Sequence, residues 1–161
     1  MDLNKIKEPF IIMLIGPPLS GKSTWIRNNF PDTNVISRDE ILMEVYGSRN
    51  YTEAYANVTQ SKVDSVLKQR LEEAGESGIN TIVDMTNMTS KRRRQTLEYF
   101  TDEFFKLAVI SPILEDDEYR ARNKKRIDDE NKDLPLYIVK RMISQYQPIR
   151  DEEGFDKVIS L

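Results

Sequence analysis

The residues best suited to chemistry form the motif G-x-x-x-x-G-K-S, which runs from Gly16 to Ser23. This spacing is typical of a phosphate-binding loop, where glycines allow a tight turn and close approach of the backbone to a phosphate. The loop N–H groups form an anion nest that is backed by the N-terminus of the next helix. Lys22 adds a cation between the β- and γ-phosphates, and the Ser23 hydroxyl ligates Mg²⁺. The motif therefore predicts a site for ATP and Mg²⁺.

Two arginines further along the chain complete the predicted nucleotide site. Arg122 and Arg126 are four residues apart and share a helical face within a charged segment, about 116–134, that we expect to form a lid. A lid arginine can neutralise charge on a phosphoryl group during transfer. The alternative is a surface helix whose arginines pair with its acidic residues. The predicted nucleotide-binding set is Gly16, Pro17, Pro18, Leu19, Ser20, Gly21, Lys22, Ser23, Thr24, Arg122 and Arg126.

Two aspartates, Asp39 and Asp84, follow predicted strands, and ligands of parallel sheets bind beyond those strand ends. The chain has no histidine, so in a phosphoryl-transfer enzyme a carboxylate, or less commonly a lysine or tyrosine, would orient the acceptor hydroxyl and accept its proton. Asp84 follows an apolar run and has the form of a residue that holds Mg²⁺. The residues alone leave open which aspartate takes which role. They also leave open that each is only a helix cap or turn residue.

Composition limits the remaining classes of function. The 161 residues suit one domain, 1–161, and a net charge of −3 excludes a uniformly basic nucleic-acid surface. The absence of cysteine excludes disulfides. No apolar stretch reaches the length of a membrane span, and the start does not look like a signal peptide, so we expect a cytoplasmic protein without membrane partners.

Strand and helix patterns alternate along the chain, which predicts an α/β fold with a five-stranded parallel sheet and helices on both faces. The predicted strands are 10–15, 34–37, 79–84, 105–110 and 155–161. The predicted helices are 22–29, one from about Glu40, a long one capped by Thr52 that ends at Gly75 and Gly78, 91–100, and one capped by Asp133. This order places the loop and both aspartates at one edge of the sheet.

Together these residues resemble the polynucleotide 5′-hydroxyl kinase domain of phage end-healing enzymes. The similarity extends from residue 11 to about 146 and rests on four motifs. They are the loop ending in Ser23-Thr24-Trp25, the pair Arg38-Asp39, the run Asp84-x-Thr86-Asn87 followed by Arg92-Arg93, and Arg122-Asn123-x-Lys125-Arg126. The resemblance implies a P-loop NTPase kinase fold with a helical lid.

The resemblance also implies residue roles for transfer of the γ-phosphate of ATP to a 5′-hydroxyl end of DNA or RNA. Asp39 is then the general base, Arg126 the lid arginine, and Lys22 and Ser23 bind phosphate and metal. The implied acceptor-binding residues are Arg38, Asp39, Asp84, Thr86 and Asn87. No D-x-D-G-T phosphatase motif occurs, so we expect a kinase without that second activity.

The chain departs from the family pattern at two positions. Leu19 occupies a loop position that is commonly glycine, and Leu42 stands where the phage enzymes have an arginine on the acceptor phosphate. That contact must then come from Arg38, Arg49 or the run Arg92–Arg94. Two other functions stay open: a kinase of a small hydroxyl acceptor such as a nucleoside, sugar or antibiotic, and a slow ATPase that acts as a switch.

Overall fold

The central strand β1, Phe10–Ile15, is buried along its whole length in this computed structural model, which describes residues 6–130 and 132–161. Ile11 and Met13 pack into one hydrophobic core, and Ile12 and Leu14 pack into another on the opposite face. Parallel strands that are covered on both faces have continuous apolar runs rather than alternating ones. The burial of β1 therefore explains why the stretch before the loop is apolar at every position.

The sheet has five parallel strands in the order β2-β3-β1-β4-β5. The other strands are β2 Asn34–Ser37, β3 Thr81–Asp84, β4 Phe105–Ile110 and β5 Lys157–Ser160. The chain leaves β1 for β2 at one edge, then returns through β3 and continues to β4 on the other side of β1. Ligands bind where strand order reverses in such sheets, so this topology places a binding crevice beyond the ends of β1 and β3.

Helices cover both faces of the sheet, as the sequence predicts. The helices are α1 Lys22–Asn29, α2 Arg38–Tyr46, α3 Tyr51–Asn57, α4 Gln60–Glu76, α5 Ser90–Leu97, α6 Asp116–Glu130 and α7 Leu136–Ser144. Helix α1 contributes Ile26 to one core, whereas α2 to α5 contribute side chains to the other. Within the described ranges, none of these helices combines the length and apolar character that a membrane crossing requires.

Two predicted helix caps are wrong. Thr52 does not cap a long helix: it lies inside α3, and a break at Val58 and Thr59 separates α3 from α4. Asp133 does not cap α7, which begins after Pro135; its carboxylate instead accepts a hydrogen bond from Asn123 Nδ2 at 2.8 Å.

Gly75 has a packing role rather than the helix-ending role predicted for it. It lies within α4, and a Cβ on this residue would come within 1.9 Å of the Tyr99 carbonyl oxygen. Glycine therefore allows α4 to approach the end of α5 closely. Gly78, with φ +65°, does follow the helix end as predicted.

A buried ion pair joins α5 to the segment before β5. The Arg93 guanidinium, 0% exposed, donates to the Glu153 carboxylate at 2.6 and 2.7 Å. It also donates to the carbonyl oxygens of Asn87 and Met88. Burial opposes ionisation of Glu153, but the hydrogen bond and charge of Arg93 outweigh it, and the pKa of Glu153 is lowered. Arg93 thus fixes the loop after β3.

Arg93→Met should lower the free energy of unfolding by about 3–5 kcal/mol, because it leaves the Glu153 carboxylate buried without its partner. Denaturant unfolding of the purified protein measures this loss. The double variant Arg93→Met/Glu153→Gln should recover most of it, while exposed Arg94→Met is the matched control. Equal stability of Arg93→Met and Arg94→Met would contradict the assigned role.

Candidate active site

The crevice beyond β1 and β3 is an open cavity of about 1030 Å³. It brings together most residues that the sequence predicts for the site: Pro18, Leu19, Gly21, Lys22, Ser23, Thr24, Arg38, Asp39, Asp84, Thr86, Asn87, Arg122 and Arg126. Gly16 and Pro17 instead line a smaller cavity of about 290 Å³ on another side of the loop. Ser20 is buried and donates to the Pro17 carbonyl oxygen at 2.8 Å, which stabilises the turn.

The loop after β1 uses left-handed backbone at three positions. Gly16, Leu19 and Gly21 have φ values of +145°, +65° and +95°. The first and last are glycines, which adopt positive φ without a steric cost. Leu19, the position where the family commonly has glycine, adopts the same region as an L-residue, at a cost of roughly 1–2 kcal/mol. Leu19 therefore takes a backbone conformation that a glycine would adopt more easily.

Gly16 also has a steric role. A Cβ at this position would lie 1.9 Å from the Ser111 hydroxyl oxygen. Ser111 follows β4, is buried, and shares a hydrogen bond of 2.7 Å with the Ser20 hydroxyl. The Gly16 N–H donates to the Thr86 carbonyl oxygen at 2.9 Å. Contacts to the ends of both neighbouring strands thus set the start of the loop.

Gly16→Ala should displace the loop and greatly weaken ATP binding, because the added methyl group collides with Ser111 and the backbone is strained as well. Titration calorimetry with MgATP measures the effect. Gly47→Ala is the matched control: Gly47 has φ +84° but no atom within 4 Å of an added Cβ. It should cost stability of about 1–2 kcal/mol and leave ATP binding intact. Equal ATP binding by the two variants would show that the close approach to Ser111 does not matter.

Lys22 lies under the loop, 8% exposed, and its ammonium donates to the carbonyl oxygens of Gly16, at 3.1 Å, and Pro17. Burial lowers the pKa of Lys22 to about 8, although the Asp84 carboxylate acts in the opposite direction. The loop carbonyls satisfy the ammonium within the loop, in the place where a bound phosphate would offer stronger acceptors. This geometry suits a lysine that binds phosphate.

Ser23 and Asp84 lie together at the floor of the cavity. The Ser23 hydroxyl donates to the Asp84 carboxylate at 2.8 Å, although the two residues are 61 positions apart. A hydroxyl and a carboxylate are hard oxygen ligands, and Mg²⁺ needs only one or two protein ligands when nucleotide phosphates supply others. The donor set therefore fits the Mg²⁺ that the sequence predicts.

Asp39 lies in the first turn of α2, where a carboxylate is favoured by the helix dipole. Its side chain is 49% exposed towards the cavity and forms an ion pair with Lys132. The Lys132 ammonium is 3.7 Å from the centre of the Tyr51 ring. Burial, and then the charge of Asp39, raise the pKa of Tyr51. Sequence reasoning missed both Lys132 and Tyr51, since no spacing relates Lys132 to a partner 93 residues earlier.

The arginines expected to hold an acceptor phosphate differ in availability. Arg93 is wrong for this role, because it is fully buried against Glu153. Arg38 pairs with Asp64 at 2.8 Å and Arg49 pairs with Glu40 at 2.5 Å, yet both line the cavity. Arg92 lines it too. Leu42, where the family has its arginine, is 1% exposed in the core.

Asn87 shapes the site from below. It is 1% exposed, has φ +47°, and its Nδ2 donates to the Leu14 carbonyl oxygen at 2.8 Å. Thr86 supplies the carbonyl that receives the Gly16 N–H. The run Asp84-x-Thr86-Asn87 therefore ties the end of β3 to β1 and to the loop.

Helix α6 lies beside the loop, in the segment predicted to form a lid. Arg122 donates to the Leu19 carbonyl oxygen at 3.0 Å and to Glu118 at 2.6 Å, whereas Arg126 pairs with Glu130 at 3.2 Å. Both arginines face the cavity. Helix α6 thus carries the i,i+4 ion pairs of the surface-helix interpretation, and its two arginines line the cavity; its role as a lid stays a prediction.

Comparison with solved structures supports the fold. A chain of the Pnkp1/Rnl/Hen1 RNA repair complex superposes with a TM-score of 0.67 at 19% identity, over 88% of this chain and 45% of that one. This chain thus spans less than half the length of that relative. Kti12 from Chaetomium thermophilum, in complex with ADP-AlF3, gives 0.66 at 15% identity, over 94% and 88% of the two chains. A gluconokinase from Sinorhizobium meliloti gives 0.54 at 12% identity, over 96% and 82%.

These neighbours share a P-loop kinase fold. Residues 11–149 match the sequence model of the AAA domain family. This match covers the sheet through β4, the phosphate-binding loop, both aspartates and the lid helix. The chain therefore belongs to the AAA domain family, with the fold of a P-loop kinase.

Proposed function

We propose that this protein is an ATP-dependent kinase that phosphorylates the 5′-hydroxyl end of DNA or RNA. The observation that carries the proposal is that the loop, the Asp39 carboxylate and the Arg126 guanidinium all face one cavity of about 1030 Å³. A donor site alone explains the loop and the arginine. It does not explain a half-exposed carboxylate beside them, which a kinase needs for its acceptor.

Each residue has a definite part in this reaction. Lys22 and the loop N–H groups hold the β- and γ-phosphates, and Asp39 orients the acceptor hydroxyl and accepts its proton. The acceptor oxygen forms a bond to the γ-phosphorus as the bond to the β-phosphate oxygen breaks, and ADP leaves. Arg126 neutralises the charge on the group in transfer. Catalysis arises from positioning and electrostatics, without a covalent enzyme intermediate.

Ser23 and Asp84 would hold Mg²⁺, which neutralises and orients the phosphates when it is bound. The Asp84 carboxylate accepts a hydrogen bond from Ser23 at 2.8 Å and is assigned to the metal. We therefore assign the role of general base to Asp39. This assignment agrees with the family resemblance, in which the aspartate of the Arg38-Asp39 pair is the base.

A polynucleotide acceptor is favoured over a small one by two observations. The sequence combines Arg38-Asp39, Asp84-x-Thr86-Asn87 and the lid motif, a combination more specific than the loop alone. A solved structure similar to this chain belongs to an RNA repair complex. The alternative acceptor is a small hydroxyl compound, since a gluconokinase shares the fold at 12% identity.

The length of the acceptor tests this choice. We expect similar kcat/KM values for a 5′-hydroxyl oligonucleotide and a nucleoside 3′-monophosphate. Arg93 is buried, and Arg38 and Arg49 already form ion pairs, so few unpaired cations in the described part of the chain face further phosphates. The acceptor affinity should fall with salt on a log–log slope of roughly −1 to −2, about −0.7 for each neutralised phosphate on a single strand. If a free nucleoside is phosphorylated equally well, the polynucleotide assignment is wrong and the acceptor is a small hydroxyl compound.

Arg126→Ala should lower kcat more than it raises the KM for ATP, by roughly 10²–10³-fold in kcat, because the lid charge matters most in the transition state. Steady-state kinetics at saturating acceptor separate the two constants. Arg120→Ala is the matched control, since Arg120 lies on the same helix but pairs with Asp117 in solvent. If Arg126→Ala only lowers the melting temperature, its role is confined to the ion pair with Glu130.

A further inference from the structure

Lys132 is a buried cation that the mechanism above does not use. It is 5% exposed, and its ammonium contacts the Asp39 carboxylate and the face of Tyr51. Burying an ammonium is costly unless it is paired, and cation–π contact supplies a second attraction. The side chain therefore has a defined position, directly beside the proposed general base.

The position of Lys132 depends on the lid. The Asn123 side chain on α6 holds the two residues that follow Lys132: its Nδ2 donates to Asp133 and its Oδ1 accepts from the Leu134 N–H, both at 2.8 Å. Asn123 lies between the two lid arginines. A displacement of α6 would therefore move Lys132 away from Asp39.

The same segment contacts the donor side of the site. Arg122 donates to the Leu19 carbonyl oxygen in the loop, whereas Lys132 contacts the carboxylate on the acceptor side. The predicted lid segment thus contacts both the phosphate-binding loop and the proposed general base. In this position Lys132 adds an ion pair to an Asp39 carboxylate that also lies beside Tyr51.

From this geometry we propose that Lys132 is a positioning residue that holds Asp39 in its reactive orientation only while the lid is closed. The contact makes the acceptor base dependent on the same closure that brings Arg126 to the nucleotide. This inference rests on the proposed function, because it assigns Asp39 as the base. Its consequence is that an open lid leaves the base misplaced, which limits wasteful reaction before closure.

The first test is kinetic. Lys132→Met keeps the length of the side chain and removes its charge, and should lower kcat by roughly 10²-fold, the usual cost of a small misplacement of a catalytic group. The KM for ATP should not change, and Lys132→Arg should restore most of kcat. Lys124→Met, on the exposed side of α6, is the matched control. An unchanged kcat in Lys132→Met, or equal losses in Lys132→Met and Lys132→Arg, would overturn the proposal.

The second test needs no acceptor. Hydrogen–deuterium exchange of residues 116–130 should be roughly five- to tenfold faster than in the wild-type protein for both Lys132→Met and Asp39→Asn. The double variant should exchange no faster than either single variant, as expected for two residues in direct contact. Additive effects would overturn the proposal. If the wild-type protein phosphorylates no 5′-hydroxyl end but the exchange effects are coupled, the proposed function fails and the contact between lid and Asp39 stands.

Discussion

Asp39→Asn should lower the rate of phosphoryl transfer by about 10²–10⁴-fold, the usual contribution of a positioned general base. The amide keeps the shape of the side chain but cannot accept the proton of the acceptor hydroxyl. The affinity for ATP should change little, because Asp39 lies on the acceptor side, whereas Asp84 is the carboxylate beside the loop serine. Rapid-quench kinetics with γ-labelled ATP give the rate, and calorimetry gives the affinity.

Asp32→Asn is the control for this variant, since Asp32 is exposed in the turn before β2. It should leave both rate and affinity unchanged. An equal loss of ATP binding in Asp39→Asn would identify Asp39 as a metal ligand and transfer the role of base to Asp84. The residues alone leave these two assignments open, so this comparison is informative whichever way it falls.

Lys22→Met should lower kcat/KM for ATP by roughly 10³-fold, because it removes the buried cation that donates to the Gly16 and Pro17 carbonyl oxygens. The variant should fold with a melting temperature close to that of the wild-type protein. Burial lowers the pKa of Lys22 to about 8, so the ammonium is held in an environment that does not favour its charge. A thermal melt and MgATP titration separate folding from binding, with exposed Lys62→Met as the control. If Lys22→Met turns over at a rate close to that of the wild-type protein, the loop is not the ATP site.

The central part of the fold was predictable because its signals are local. The apolar run that forms β1 leads directly into the loop, and the observed strand and α1 begin and end at the predicted residues. Parallel pairing then places the residues after β2 and β3 on the same edge as the loop. Asp39 and Asp84 therefore meet in one cavity as a consequence of topology.

The remaining features depend on contacts between distant residues. Arg93 has the sequence appearance of an exposed helix residue, and only the fold reveals that Glu153, 60 positions later, buries it. Lys132 belongs to a charged run that is typical of a solvated surface. Its ammonium nevertheless contacts the Asp39 carboxylate, and Asn123 holds the next residue, Asp133, by a hydrogen bond. The residue type of Thr52 suits a helix cap, but the backbone is extended at Val58 and Thr59, so two helices stand where the sequence predicts one.

Transfer of the γ-phosphate of ATP to a 5′-hydroxyl oligonucleotide is the reaction that the proposed kinase must catalyse. Its best control is the same oligonucleotide with a 5′-phosphate, which differs only at the reacting group. We expect label to enter the first oligonucleotide alone and digestion to recover it on the 5′-terminal nucleotide. Asp39→Asn should lower the rate of this incorporation by about 10²–10⁴-fold. Release of labelled phosphate to water at the same rate with either oligonucleotide, and without incorporation, would contradict the proposed function.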